Sequence, residues 1–199
     1  MLGWVCWGGL HSLLINPAWQ ALVGVRWPGL CRWYRLIYNL LAVATLIPLL
    51  YFKQTLSGPM VLGWPWWLEP VRWLLLLCAL WLAWAGARTH DLGQVAGWSQ
   101  LRSDCGGEGR SPAGELRTDG ILGRVRHPWY SAALLLLWTR TNGFDGADLA
   151  TSLVLSGYVL LGTLLEENKL LRTYGRRYRE YQARVPMFLP RIFGRRRLP

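Results

Sequence analysis

The sequence predicts an all-α integral membrane protein with about five transmembrane helices and a C-terminal amphipathic helix at the cytoplasmic interface. Of its 199 residues, 52% are hydrophobic, 17% are charged and 14 are tryptophans, which gather at membrane–water interfaces. The apolar residues form runs long enough to cross a bilayer. The basic residues lie in the loops and the tail between these runs, as in membrane proteins that face anionic lipid.

The net charge of +11 could also indicate a nucleic-acid-binding protein, because such proteins are often strongly basic. Here the basic residues flank apolar segments, so we expect membrane lipids as partners and no nucleic acid. The four cysteines form no CxxC pair and show no zinc-binding spacing, so the sequence predicts no metal site.

Five apolar segments are the candidate spans. The first is interrupted by Asn16-Pro17, so it is either a kinked span or a short span with an interfacial continuation. The second is kinked late by Pro48, and the third is the clearest because it is rich in Trp and Leu. The fourth is short and begins at Pro128, a favourable first-turn position, so four or six spans remain open. The segments cover residues 2–23, 34–52, 67–87, 128–142 and 147–165.

The orientation follows from the distribution of Lys and Arg. With five spans, all but three of the 22 basic residues fall on one side of the membrane, the exceptions being Lys53, Arg72 and Arg140. Since cytoplasmic loops carry the excess of basic residues, the C-terminus is predicted to be cytoplasmic, in a bacterial inner membrane.

Two long segments outside the spans are predicted to differ in structure. The loop at 88–127 contains Gly106-Gly107-Glu108-Gly109 and Ser111-Pro112, turn formers that predict a mobile loop. The tail at 166–184 has apolar and aromatic residues at three- or four-residue steps, which predicts an amphipathic helix. No internal repeat or second domain is evident, so residues 1–199 are interpreted as a single membrane domain.

Two charged clusters lie beside the last two apolar segments, where charge is costly and often functional. Arg126-His127-Pro128-Trp129-Tyr130 is either an interfacial flank or a ligand site at a helix start. Glu166-Glu167 runs against the positive-inside bias. These carboxylates either pair with Lys169 or Arg172, or interact with a cationic or hydrogen-bond-donating ligand.

A third polar site, His11-Ser12, lies inside the first apolar segment. Such a pair either faces a cavity, lies near the interface or is satisfied by a neighbouring helix. We take His11 as a candidate substrate-binding residue.

The order of these residues resembles the isoprenylcysteine carboxyl methyltransferase superfamily of membrane enzymes, which is related to the phospholipid methyltransferases. The N-terminal half, with His11-Ser12 and Tyr34-Arg35-Leu36, is similar to the methanethiol S-methyltransferase and NnrU-like branches. The stronger similarity covers about the last 80 residues and consists of Gly120-(x)5-Arg126-His127-Pro128-x-Tyr130, Glu166-Glu167-x-x-Leu170, Tyr174-Gly175-x-x-Tyr178-x-x-Tyr181 and Val185-Pro186.

The resemblance implies that S-adenosylmethionine binds at the cytoplasmic face, in the regions 115–131 and 166–191. It implies that four residues contact this cofactor, with Arg126 beside them. The sequence itself has no glycine-rich nucleotide-binding loop, which excludes a Rossmann methyltransferase. The four implied cofactor contacts are His127, Tyr130, Glu166 and Glu167.

Methyl transfer is an in-line displacement that depends mainly on positioning. An anionic acceptor, a thiolate or carboxylate, would lie near an arginine, so Arg126, Arg172 and Arg191 are the candidates. An amine acceptor would need a base, for which Glu167 is the candidate. The catalytic residues predicted from the sequence are therefore Glu167 and Arg126, and the acceptor is small or lipophilic: an isoprenylated cysteine, a thiol or a lipid.

Two other functions remain open at this point. One is a non-catalytic accessory membrane protein of the NnrU-like type, which keeps the scaffold and serves another complex. The other is a reductase that binds NADPH, because sterol reductases share a similar membrane core.

Overall fold

The computed structural model describes residues 2–89, 91–101 and 116–190, and helices dominate it, which confirms the all-α class. Most of the loop predicted to be mobile therefore lies outside the described residues. The helices are α1 (Leu2–Ile15), α2 (Pro17–Arg26), α3 (Tyr34–Thr55), α4 (Glu69–Ala87), α5 (Leu92–Ala96), α6 (Trp98–Leu101), α7 (Pro128–Thr139), α8 (Gly146–Tyr174) and α9 (Arg176–Arg184). A two-stranded sheet pairs β1 (Met60–Gly63) with β2 (Gly143–Asp145), and short 3-10 turns occupy Pro28–Leu30, Trp66–Leu68 and Gly120–Gly123.

Three of the described helices are long and apolar enough to cross a membrane: Tyr34–Thr55, Trp66–Ala87 and Gly146–Tyr174. They coincide with the second, third and fifth predicted segments. The first segment divides at Asn16, whose side chain accepts a hydrogen bond from the backbone N–H of Ala18 at 2.8 Å and so caps α2. The fourth is the 12-residue helix α7, shorter than the roughly 20 residues of a span. The number of spans stays a prediction.

Exposed apolar side chains show that this is a membrane protein. On α3, Leu40, Val43 and Ile47 lie on one face and are 61%, 56% and 61% exposed. A stripe of this kind in water would be a large uncovered apolar patch, whereas in a bilayer it contacts lipid.

The chain divides into two compact units. Within the described residues, unit 1 comprises 2–62, 91–101 and 143–155, and unit 2 comprises 63–89, 116–142 and 156–190. Helix α8 contributes residues to both.

In unit 1, α1 packs along α3 through polar side chains that reach backbone carbonyls. The indole N–H of Trp7 donates to the carbonyl of Ala42 at 3.2 Å, and the hydroxyl of Tyr34 donates to that of Leu14 at 2.7 Å. These bonds satisfy polar groups inside an apolar segment, where an unpaired group would be costly.

An ion pair joins the end of α3 to the start of α8 in unit 1. The ammonium of Lys53 lies 2.5 Å from the carboxylate of Asp148, with side chains 17% and 12% exposed. Asp145 accepts a hydrogen bond from the backbone N–H of Asp148 at 2.7 Å, which caps this helix start.

In unit 2, α4 packs against α7 around a small core of Leu82, Ile121 and Ala132. The indole N–H of Trp129 donates to the carbonyl of Ala83 at 3.0 Å, so the ring approaches α4 closely. Gly86 makes this approach possible, since a Cβ there would lie 2.5 Å from Cδ1 of that ring.

A buried arginine marks the end of α7. Arg72 is 6% exposed, donates to the carbonyl of Thr139 at 2.9 Å and pairs with Glu69 at 2.8 Å. A cation at a helix C-terminus satisfies a carbonyl that has no partner within the helix.

Replacement of Gly86 by Ala should destabilise unit 2 by about 1–3 kcal/mol, because the added methyl displaces the Trp129 indole and its hydrogen bond. The free energy of unfolding can be measured with denaturant in detergent micelles. Gly162→Ala on α8 is the matched control, since a Cβ there meets no atom within 4 Å. Equal stability of the two variants would contradict this account of the contact between α4 and α7.

Candidate functional site

The carboxylate of Glu167 on α8 is the centre of a buried polar cluster. The side chain of Glu167 is 6% exposed and accepts hydrogen bonds from four other side chains. Arg126 donates through Nε and Nη2 at 2.9 and 3.0 Å, a bidentate pair. Nε2 of His127 and the hydroxyl of Tyr178 each lie 2.7 Å from Oε1, and the amide of Gln182 donates to Oε2. So many donors around an acceptor-only group hold it in the ionised form.

Arg126 and His127 are held by the chain that follows α9. The backbone N–H of Arg126 donates to the carbonyl of Pro186 at 3.0 Å, and that of His127 donates to Met187 at 3.1 Å. The remaining guanidinium nitrogen, Nη1, donates to the carbonyl of Val185 at 2.5 Å. The tail therefore fixes both residues just before Pro128 starts α7.

Gly175 turns the chain so that α9 returns to α8. Its backbone has φ 55° and ψ −122°, a conformation almost restricted to glycine. After this turn, Tyr178 and Gln182 stand four residues apart on one face of α9 and both reach Glu167.

The tyrosines of α9 are buried donors. Burial and the hydrogen bond to Glu167 raise the pKa of Tyr178 well above its usual range. Burial also raises the pKa of Tyr181 to about 12, although the nearby Arg126 acts in the opposite direction. Both phenols thus remain neutral near pH 7, and that of Tyr181 donates to the carbonyl of Leu122 at 2.6 Å.

Glu166 faces a different environment from its neighbour. Successive residues of a helix point about 100° apart, so the side chain of Glu167 is 6% exposed and that of Glu166 is 42% exposed. Oε2 of Glu166 lies 4.0 Å from Nδ1 of His127, and the carboxylate also interacts with Tyr130. The rings of His127 and Tyr130 stack at 5.5 Å and 18°.

The structure brings together five of the residues predicted from the sequence: Arg126, His127, Tyr130, Glu166 and Glu167. Their functional roles stay predictions. Within the described part of the chain, Glu166 and Glu167 pair with neither Lys169 nor Arg172, so the alternative of pairing along the helix does not hold.

Three further residues, His11, Arg172 and Arg191, are predicted from the sequence to bind the substrate. Arg172 is exposed on α8, and Arg191 lies outside the described residues. His11 belongs to unit 1, where Nε2 lies 2.8 Å from the hydroxyl of Tyr38 and its ring stacks on Trp7 at 5.2 Å. It lines a small apolar cleft between α1 and α3.

Two members of the cluster were not assigned a role from the sequence. The sequence pattern predicts Tyr178 only as one of the aromatic residues on the apolar face of the tail helix, and it predicts no role for Gln182. Tyr178 and Gln182 are four residues apart, so they lie on the same face of the helix, and Gln182 is a polar residue on a face that is otherwise apolar. This pattern could have indicated that the two side chains share a polar partner.

Comparison with known proteins gives the family. The sequence model of the NnrU protein family matches residues 1–185. The chain belongs to the NnrU family. This confirms the superfamily resemblance and its NnrU-like branch. No solved structure matches this NnrU-family protein.

Its curated relatives include methanethiol S-methyltransferases. Methanethiol S-methyltransferase 2 of Bradyrhizobium diazoefficiens is 31% identical over 190 residues, which cover 94% of this chain and 70% of that protein. The methanethiol S-methyltransferase of Pseudomonas deceptionensis is 38% identical over 79 residues, 40% of this chain and 30% of that protein. That of Crocosphaera subtropica is 33% identical over 78 residues, 39% and 30% of the two chains.

Glu167→Gln should destabilise the protein by about 3–5 kcal/mol, because it leaves the guanidinium of Arg126 buried without its full counter-charge. The free energy of unfolding in detergent micelles measures the effect. The matched control is Glu180→Gln, which removes an ion pair to Arg176 whose side chains are 53% and 91% exposed. Such a pair contributes about 0–1 kcal/mol. A loss for Glu167→Gln no larger than that of the control would show that the buried pair is not a stabilising contact.

Proposed function

We propose that this protein is an integral membrane methyltransferase that moves a methyl group from S-adenosylmethionine to a small thiol. The observation that carries the proposal is the similarity to a methanethiol S-methyltransferase along 94% of this chain. The wider acceptor class expected from the sequence includes carboxylates and lipophilic molecules, and the names of the relatives favour the thiol.

The residues around Glu166 suit the chemistry of the methyl donor. S-adenosylmethionine carries an ammonium, a ribose diol and a sulfonium. The partly exposed carboxylate of Glu166 can accept hydrogen bonds from the first two groups. The stacked rings of His127 and Tyr130 offer an aromatic face to a cation. These three residues would hold the cofactor, which supplies the electrophilic methyl group.

Glu167 and Arg126 have a different role in this proposal from the catalytic role expected from the sequence. Because Glu167 already accepts bonds from four side chains, little of its hydrogen-bonding capacity is left for a ligand. We assign both residues to positioning: they fix His127, and through it the ring stack, at the start of α7. Phe188, whose ring lies 6.5 Å from that of His127, helps to exclude water there.

The proposal sets this site at the cytoplasmic face of a bacterial inner membrane. The support is the distribution of Lys and Arg, which strongly favours the side that carries the tail. The acceptor would reach the site along the apolar surface of the helices, either from the bilayer or as a small neutral thiol.

A second candidate is an accessory protein that keeps the scaffold without catalysis. The observation that favours it is the match of the NnrU family model to residues 1–185. The internal pairing of Glu167 is also compatible with a purely structural cluster. The two candidate functions differ in cofactor binding, because only the enzyme needs to bind S-adenosylmethionine and its product S-adenosylhomocysteine.

Glu166→Gln should weaken S-adenosylhomocysteine binding about 10–100-fold, because it removes a charged acceptor worth about 1.5–3 kcal/mol while leaving the buried cluster intact. Isothermal titration of purified protein in detergent measures the affinity, and transfer of labelled methyl to methanethiol measures the activity. Glu180→Gln, on the exposed face of α9, is the control and should bind like the wild type.

The outcomes separate the candidates. A folded wild-type protein that binds no S-adenosylhomocysteine would favour the accessory function. Binding of NADPH in competition with S-adenosylmethionine would favour the reductase. If Glu166→Gln bound like the wild type, the assignment of this carboxylate to the cofactor would be wrong, and the methyltransferase proposal would then depend on transfer activity.

A further inference from the structure

The two ring nitrogens of His127 have different partners. Nε2 lies 2.7 Å from Oε1 of Glu167, whose ionised carboxylate can only accept a hydrogen bond. Nε2 must therefore carry the proton of this bond. The hydrogen position is assigned from this chemistry, and it leaves Nδ1 as the nitrogen that determines what the ring can do.

Nδ1 makes no hydrogen bond within the described residues. Oε2 of Glu166 lies 4.0 Å from Nδ1, which is beyond hydrogen-bonding distance. The side chain of His127 is 6% exposed, and its Nδ1 edge is the one that faces the 42% exposed side chain of Glu166. A basic nitrogen is thus available beside the partly exposed carboxylate of Glu166.

Charged groups of both signs surround the His127 ring. The charge of Glu167 is already balanced by the bidentate guanidinium of Arg126, so the ring need not be protonated to hold its place. Once protonated at Nδ1, the imidazolium would face two carboxylates. The titratable groups facing His127 are Arg126, Tyr130, Glu166, Glu167 and, through the shared carboxylate oxygen, Tyr178.

We propose that His127 is the general base that takes the proton of the acceptor thiol at Nδ1. The inference rests on the proposed function, and it addresses a need of that reaction. A thiolate is the nucleophile, whereas the free cysteine thiol has a pKa of about 8.5 and a simple alkanethiol is a weaker acid still, so the acceptor is mostly protonated near pH 7. A positioned base shifts this balance within the site.

Proton transfer from the thiol precedes methyl transfer. The S–H bond of the thiol breaks, its electron pair stays on sulfur, and the proton bonds to Nδ1 of His127. The thiolate sulfur would then bond to the methyl carbon of S-adenosylmethionine as the bond between that carbon and the sulfonium sulfur breaks, and the electron pair of the broken bond would stay on the sulfur of the leaving S-adenosylhomocysteine. The imidazolium finally returns its proton to water. Glu167 stabilises this cation and holds the ring, so it and its donors Tyr178 and Gln182 are positioning residues.

The variant that tests this inference is His127→Gln, whose amide N–H can still donate to Glu167 but which has no basic nitrogen. With cofactor saturating, we expect kcat for methanethiol near neutral pH to fall about 10²–10⁴-fold. The remaining rate should rise about tenfold per pH unit below the pKa of the thiol, because only ionised thiol then reacts. Loss of the ring from the aromatic wall should weaken S-adenosylhomocysteine binding much less than it lowers kcat.

A second measurement does not depend on activity or on folding of the variant. The chain has three histidines, so selective ¹⁵N labelling gives three imidazole signals by NMR in micelles. We expect His127 to show a protonated Nε2 and an unprotonated Nδ1 at the pH of the assay. A proton on Nδ1 at that pH would overturn the inference.

The failures can be told apart. If the wild type transfers methyl groups and His127→Gln retains its kcat and pH profile, the general base is elsewhere and the proposed function stands. If the folded wild type binds no S-adenosylhomocysteine, both proposals fall together. Glu180→Gln, which alters only an exposed pair, should keep the pH profile of the wild type.

Discussion

Removing a carboxylate and a guanidinium from water costs several kcal/mol per ion, and the cost is recovered only when the remaining polar atoms find partners. The pair of Arg126 and Glu167 meets this condition. The guanidinium donates to both carboxylate oxygens and to the carbonyl of Val185. Tyr178 and Gln182 donate further hydrogen bonds to the carboxylate of Glu167. Three separate stretches of the chain must therefore meet at one point, and the geometry around the start of α7 follows from that meeting.

The same constraint separates the functions of two adjacent glutamates. A helix that points Glu167 inward necessarily turns Glu166 by about 100°, towards the aromatic stack of His127 and Tyr130. One carboxylate is then used to hold the structure, and the other is left at the edge, where it can meet a cationic ligand. His127 links the two, because one ring nitrogen bonds to the inner carboxylate and the other lies near the outer one.

Local sequence signals predicted several of the helices and the positions of the charged residues, but not how the charged side chains pair. The proline at the start of α7 and the paired glutamates indicated where charge collects, and hydrophobic length located α3 and α8. What sequence could not decide was which glutamate points inward, because that depends on the fold-back at Gly175. The early end of α1 was also ambiguous, since Asn16 can be a kink or a cap, and here it caps α2. Periodicity can be recognised from neighbouring residues, whereas pairing between residues that are distant in the sequence cannot.

The return of α9 after Gly175 also has a consequence for biogenesis. A nascent chain emerges from its N-terminal end, so α7 and α8 leave the ribosome before the residues that satisfy their charges. Until the chain has been translated past Met187, the backbone N–H groups of Arg126 and His127 lack their carbonyl partners. The carboxylate of Glu167 and the guanidinium of Arg126 likewise gain their full set of partners only after Tyr178, Gln182 and Val185 have been synthesised.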